Sequence, residues 1–303
     1  MTDLNWILLL ASILVAATPI LLAATGELVV EKAGVLNLGV EGMMITGAVT
    51  GFIAAVTTGS PALGFLAGAG GGVALSMVFA LLTQGALANQ VASGLALTLF
   101  GLGLSALVGQ GYVGIKAPPL PDLPLGPLSE FPVLAQDAVV WLALLLVAAT
   151  WAFLRFTRAG LVLRSVGEGA AAAHALGTRV ALVRTAAIAF GGAMAGLGGA
   201  YVSLARVPQW TEGMTAGAGW IALALVVFGA WRPWRVLLGA WLFGGVEALQ
   251  LRLQAAGAGL PVELLSMSPY LVTILVLVVI SARGARGALA APADLGRPFH
   301  AAA

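Results

Sequence analysis

The sequence predicts an all-α, polytopic integral membrane protein of about nine transmembrane helices (8–10), with a short cytoplasmic helix between two of them. Three observations carry that prediction. Of 303 residues, 60% are hydrophobic and only 9% are charged, with a mean hydropathy of +1.04. A soluble domain carries about 25% charged residues, so this chain has too little polar surface to coat a water-soluble globule. Apolar runs long enough to cross a hydrocarbon core of about 30 Å recur along its length. The basic residues gather in alternate loops, as fixed orientation in a membrane requires.

Composition also excludes several functions. The net charge of +2 is small and its basic residues are clustered, which reflects membrane orientation and gives no argument for nucleic acid. The absence of cysteine removes disulfide frameworks, thiol nucleophiles and thiolate metal sites. His174 and His300 stand too far apart in sequence to suggest a metal set, and nothing implies a cofactor.

Taken in order, the expected spans are 6–25, 34–57, 62–83, 91–110, 136–154, 183–204, 215–231, 235–253 and 264–282, within one transmembrane domain over 1–303. The first has no basic n-region and no small-residue cleavage site before a polar mature domain, so it reads as a span and not a removable signal. Glycines between 34 and 72 leave room for a broken or re-entrant segment. The loop 111–135 holds six of the chain's 14 prolines and is expected to be a stiff extracytoplasmic excursion. Gly109, Gly111 and Gly114 form a GxGxxG there, but an apolar span precedes it and a proline run follows. A dinucleotide fingerprint needs a strand before and a helix after, so the match is discounted.

The loop 155–184 is a polar island. It carries Arg155, Arg158, Arg164, Arg179 and Arg184, with Glu168 and His174. Its Gly167–Gly177 stretch is alanine-rich and bounded by glycine, which predicts a short helix between two turns. Arg232 and Arg235, and Arg283, Arg286 and Arg297 in the tail, fall on the same side, while the alternate loops hold at most one basic residue each. This set faces the cytoplasm, which puts the C-terminus inside and, with nine spans, the N-terminus outside.

Polar groups within spans are costly, about 2.5–3.5 kcal/mol for a charge at the helix centre, and are candidate functional residues for that reason. Asn37 and Glu41 are four apart and expected on one face of the second span. Glu247, Gln250 and Gln254 follow helical spacing in the eighth, where Glu247 could simply pair with Arg252. With Asn89 and Gln90, the candidate path residues are Asn37, Glu41, Asn89, Gln90, Glu247 and Gln250. Such residues either line a polar path or bond helix to helix. Gly192 and Gly196 form a small-residue surface for close packing. No GxxxxGK[ST] occurs, so ATP, if it drives this protein, binds to another chain.

Three stretches carry a family resemblance. GELVVEKAGVLNLGVEGMMITGA (26–48) resembles the opening signature of permease subunits of ABC importers in the branched-chain amino acid, sugar and nucleoside group. Its Glu-Gly-Met after Asn-Leu-Gly is most similar to the nucleoside (purine nucleoside or simple-sugar) branch. LRSVGEGAAAAHALGTRV resembles the group's cytoplasmic coupling segment, although Gly169-Ala170 stand where the family commonly has Asn-Pro. LFGGVEALQLRLQ and MSPYLVTILVLVV are similar to its C-terminal signature. The resemblance implies separate ATP-binding subunits, a paralogous permease subunit, an extracytoplasmic substrate-binding protein and a setting in lipid. It assigns ATPase coupling to Arg164, Gly167, Glu168, Ala172, Ala173 and Gly177, and ranks nucleosides first among substrates, then simple sugars, then branched-chain amino acids.

Two other classes fit less well. A secondary transporter usually shows an inverted repeat between its halves, and none is evident. An intramembrane enzyme needs a nucleophile with a base or a metal set, and the chain has no GxSxG and no HExxH.

Overall fold

The computed structural model describes residues 6–121, 131–255 and 291–300, with scattered helical residues between 261 and 278. Within these, all regular structure is helical: α1 (Trp6–Lys32), α2 (Val40–Thr58), α3 (Pro61–Ala80), α4 (Gln90–Gly109), α5 (Ala138–Phe156), α6 (Arg158–Glu168), α7 (Ala170–Ala175), α8 (Val180–Tyr201), α9 (Ala218–Phe228) and α10 (Pro233–Ala255). Wide π turns extend α3 through Gly85 and α8 through Arg206. Among the described residues seven helices are long and apolar enough to cross a membrane, namely α1, α2, α3, α4, α5, α8 and α10.

Of the two expected spans not among these seven, one reads differently. The run 215–231 contains only α9, whose 11 residues rise about 16 Å and cannot cross alone. The run 264–282 lies largely outside the described residues. The first two spans also have shifted bounds. The first helix continues to Lys32, past Gly26, a glycine that lets α8 come close: a Cβ there would lie 2.6 Å from the Met194 Cβ. Residues 33–39 are not helical, and the second helix starts only at Val40. Gly34 makes the break with φ +84°, a conformation open to glycine.

The core is built on α8. Gly198 faces Pro19 while Gly26 faces Gly191, so α8 runs antiparallel to α1. On its other side Gly192 and Gly196 meet α3 at Gly72 and Gly68, and Gly196 also meets α2 at Gly47. The expected small-residue surface is thus a three-helix contact. In lipid no hydrophobic force pulls helices together, so association rests on close packing of this kind. The fit leaves no slack: a Cβ on Gly72 would sit 2.0 Å from the Gly192 carbonyl oxygen.

Beyond α4 the chain folds back on the segment after α8. The Ala117 N–H donates to the Pro208 carbonyl at 2.9 Å, and Trp210 is buried against Gly109. Gly109 thus makes room for an indole, in keeping with the discounted nucleotide motif.

Gly196→Val forces a branched side chain into backbone on two neighbouring helices. Overpacking costs about 1–3 kcal/mol and more where backbone must shift. The purified variant should melt at a clearly lower temperature, whereas Gly103→Ala, on an open face of α4, should melt no lower than wild type. Equal melting of Gly196→Val and wild type would show that the α2–α3–α8 contact is looser than described.

Candidate functional site: an unwound hub and the segment strapped to it

Backbone that leaves the helix inside a membrane bundle exposes polar groups that need partners there. Residues 33–39 find theirs on several other elements. The Leu36 N–H donates to Gln90 Oε1 (2.8 Å) on α4, and the Asn37 N–H to Glu27 Oε1 (3.3 Å) on α1. The Gly39 N–H donates to the Asn37 side chain (2.9 Å). The Leu38 carbonyl accepts from Thr98 Oγ1 (3.0 Å), and the Ala33 carbonyl from Arg184 Nε (3.2 Å). Glu27, Asn37, Gln90 and Arg184 are all buried. Glu27 Oε2, Gln90 Nε2 and Arg184 Nη2 have no protein partner.

Beside this hub, two carboxylates hold α9. Glu41 Oε1 accepts from the Thr215 hydroxyl and from the Gly217 N–H (3.0 Å), and its Oε2 accepts from the Gly219 N–H (2.7 Å). An anion at the positive end of a helix, bonded to its free N–H groups, is well placed. Beyond the other end of α9, the Trp231 indole N–H donates to Glu31 Oε2. The turn before it places Ala230 at φ 48° and Trp231 at φ 54°. Left-handed backbone costs of order 1–3 kcal/mol in residues with a Cβ and persists only where the surroundings impose it. The indole–carboxylate bond and the burial of Trp231 do so here.

The predicted path residues therefore separate. Asn37 and Gln90 meet at the hub and Glu41 lies next to it. Asn37 and Glu41 do not share a helical face, because Asn37 precedes α2 in the break. Asn89 is exposed and caps α4, accepting from the Ala92 N–H at 3.0 Å. Glu247 forms an ion pair with Arg206 and not with Arg252, which instead donates to Ser12 Oγ at 3.4 Å. Gln250 is half-buried a turn further along α10. Glu27, Glu31, Thr215, Arg184 and Trp231 were missed. The signal for the first two was present, acids four apart in GELVVEK, but ending the first span at 25 left them in a loop. Arg184, counted as a loop arginine, is fully buried.

The polar island folds as two helices joined at Gly169, not as one over 167–177. Thr157 Oγ1 caps α6, accepting from the Gly160 N–H at 2.9 Å. Leu163 and Val166 turn α6 inward, and Gly167 presses on the end of α1, where a Cβ would lie 2.2 Å from the Lys32 carbonyl. Glu168 ends α6 and does not head α7. The first N–H of α7, on Ala170, instead donates to Asp294 Oδ2 (2.6 Å) in the C-terminal segment. That segment is a strap. The Asp294 N–H bonds to the Gly167 carbonyl (3.0 Å), the Gly296 N–H to the Gly34 carbonyl (3.2 Å), and Arg184 Nη1 to the Arg297 carbonyl (2.9 Å). Phe299 lies on His174, ring centres 5.3 Å apart, over Ala170, Ala173, Val166 and Val180. Of the six coupling candidates Gly167 and Ala173 are buried, while Arg164, Glu168, Ala172 and Gly177 are exposed.

Residues 9–280 match the family described as branched-chain amino acid transport system / permease component. A putative glucose ABC transporter permease protein of Haloferax volcanii is 41% identical, covering 94% of this chain and 95% of its own. A nucleoside ABC transporter permease protein of Lactococcus lactis is 32% identical over 89% of this chain and 91% of its own. A guanosine ABC transporter permease protein of Bacillus subtilis is 31% identical over 94% of each. No solved structure matches.

Glu41→Gln puts an amide donor where three donors converge. Leaving a buried donor unpaired costs about 1–3 kcal/mol, so melting temperature and yield of folded protein should fall together. Thr215→Val, which removes one of the three bonds, should fall less. If Glu41→Gln melts like wild type, the carboxylate does not hold α9.

Proposed function

The chain belongs to the branched-chain amino acid transport system permease family, and on that premise we propose that it is the membrane-spanning subunit of an ATP-driven importer of simple sugars or nucleosides. The observation that carries this is near full-length likeness to permeases named for glucose, nucleosides and guanosine. Between the two classes we favour simple sugars, since the glucose permease shares 41% of aligned residues against 32% and 31%. The Glu-Gly-Met signature supports nucleosides as the second reading. ATP hydrolysis belongs to partner subunits in this scheme. A paralogous permease and an extracytoplasmic substrate-binding protein complete the assembly, with the 155–184 loop and the C-terminus in the cytoplasm.

In this reading α7 and its exposed neighbours Ala171, Ala172, His174 and Leu176 seat in the ATP-binding subunit. A lone helix of 6 residues is too short to be stable in water. Here α6, Phe299 and the Asp294 bond order it from behind, and the ATPase covers it from the front. A displacement of α7 reaches Gly34 through the strap, and from there Gln90 of α4 and Glu27 of α1. Differential contacts of the ATPase with α7 in its two states would bias the bundle between two arrangements.

In vesicles holding the complete complex, ATP-dependent uptake of glucose and pentoses should exceed that of nucleosides, and branched-chain amino acids should not be taken up. Uptake confined to nucleosides would reverse the ranking, and ATP-independent uptake would remove the importer reading. Ala172→Trp, on the exposed face, should leave insertion and melting unchanged while lowering co-purification with the ATPase about fivefold or more, as a clash of about 1–3 kcal/mol does. Ala173→Trp should instead disorder the segment itself. Normal ATPase binding by Ala172→Trp would place the docking surface elsewhere.

A further inference from the structure

Between the last turn of α1, the end of α5, α6 and the start of α10 lies a cleft of about 580 Å³. Five cations line it: Lys32, Arg155, Arg164, Arg232 and Arg235. Among the described residues none of the five has a carboxylate within ion-pair distance, the two ion pairs being Arg206–Glu247 and Arg297–Asp294. Two acids act on Lys32: Glu168, at the end of α6, and Glu31, which accepts from the Trp231 indole. Like charges gathered around a concave surface repel one another and focus a positive potential into it. Such a cleft is built for an anion.

Its walls indicate which anion. Trp151 and Trp234 pack at its edge with ring centres 6.0 Å apart, and Trp231 closes its floor. Tryptophan concentrates where helices leave the hydrocarbon and enter the headgroup layer. Away from the cations, α10 continues with Trp234, Leu238 and Leu242, one exposed residue per turn on a single face. A phosphate among the arginines would thus have an apolar track beside it, running toward the bilayer interior.

We propose that this cleft binds the phosphate of an anionic phospholipid, with its acyl chains along Trp234, Leu238 and Leu242. Arginine forks match phosphate oxygens in pairs and hold them with charge-assisted hydrogen bonds. The bound phosphate offsets part of the repulsion among the five cations and braces the left-handed Ala230–Trp231 turn, which carries Arg232 at its end. The site is independent of which solute is transported.

The full-length chain in phosphatidylcholine nanodiscs, titrated with phosphatidylglycerol and examined by native mass spectrometry, tests this. Phosphatidylglycerol should be retained saturably, at least tenfold in preference to phosphatidylcholine. Each basic group beside an anionic lipid is worth about fivefold, so R232Q/R235Q should weaken retention about 25-fold and R164Q about fivefold. R158Q/R179Q, exposed arginines off the cleft, should match wild type. Should the double variant fold poorly, R164Q alone decides. Equal retention by the cleft variants and wild type would overturn the site. Inorganic phosphate raising the melting temperature as much as phosphatidylglycerol does would make it a soluble-anion site and overturn the lipid assignment. Unchanged lipid retention with lost ATPase co-purification would reassign the cleft to an acidic protein surface.

Discussion

A break in helical structure inside a membrane bundle survives only if every polar group it frees is met by protein. The chain accepts this constraint at 33–39, and much of the rest follows from it. Glu27 and Gln90 are buried where the freed N–H groups point. Arg184 sits at the start of α8 because a carbonyl at the end of α1 needs a donor there. The C-terminal segment returns across the bundle to give Gly34 an N–H partner, and in doing so brings Asp294 to the head of α7. The cost of the break is spread over α1, α4, α8 and the tail, which are thereby coupled to one seven-residue stretch.

The same logic explains the buried acids. Glu31 and Glu41 are nearly inaccessible to solvent, a costly position for a carboxylate unless it is hydrogen-bonded. All four of their bonds go to the neighbourhood of α9, a helix too short to span and so unable to hold itself by its own ends. Glu41 occupies its N-terminus and Glu31 the indole just past its C-terminus. The acids are the pins of a half-helix, and the α8–α9 connection can dip into the bundle because they are there.

The fold class was legible because composition and run length answer directly to the thickness of a bilayer. The glycine surface at Gly192 and Gly196 was legible too, since small residues at helical spacing have one common use in lipid. What hid was the location of helix ends. A run such as GELVVEK is as good a helix as what precedes it, and only the turn at Gly34 shows where the helix stops. That error placed Asn37 on α2 and left Glu27 and Glu31 in a loop. For Glu247 the sequence offered a path role or a pair with Arg252, because sequence shows neighbours on one helix and conceals those on another, and Arg206 arrives from α8. Asp294 had no sequence signal at all, being 124 residues from the N–H it caps.

Two kinds of contact thus divide the molecule. Along α2, α3 and α8 the helices touch backbone to backbone, where a single added methyl collides with carbonyl oxygen. Contacts of that kind have no alternative arrangement of similar energy, because close-packed surfaces do not slide by fractions of a residue. Around α9, the 33–39 break and the α6–α7 pair, close backbone contacts at Gly219, Gly94 and Gly167 are joined by hydrogen bonds to buried side chains. Such bonds are worth about 0.5–1.5 kcal/mol each and can be exchanged for others at little net cost. A transport subunit needs one part that keeps its shape and another with two states. The glycine-sealed helices fit the first requirement, and the 33–39 break ties α1, α4, α8 and the tail together through bonds of the second kind.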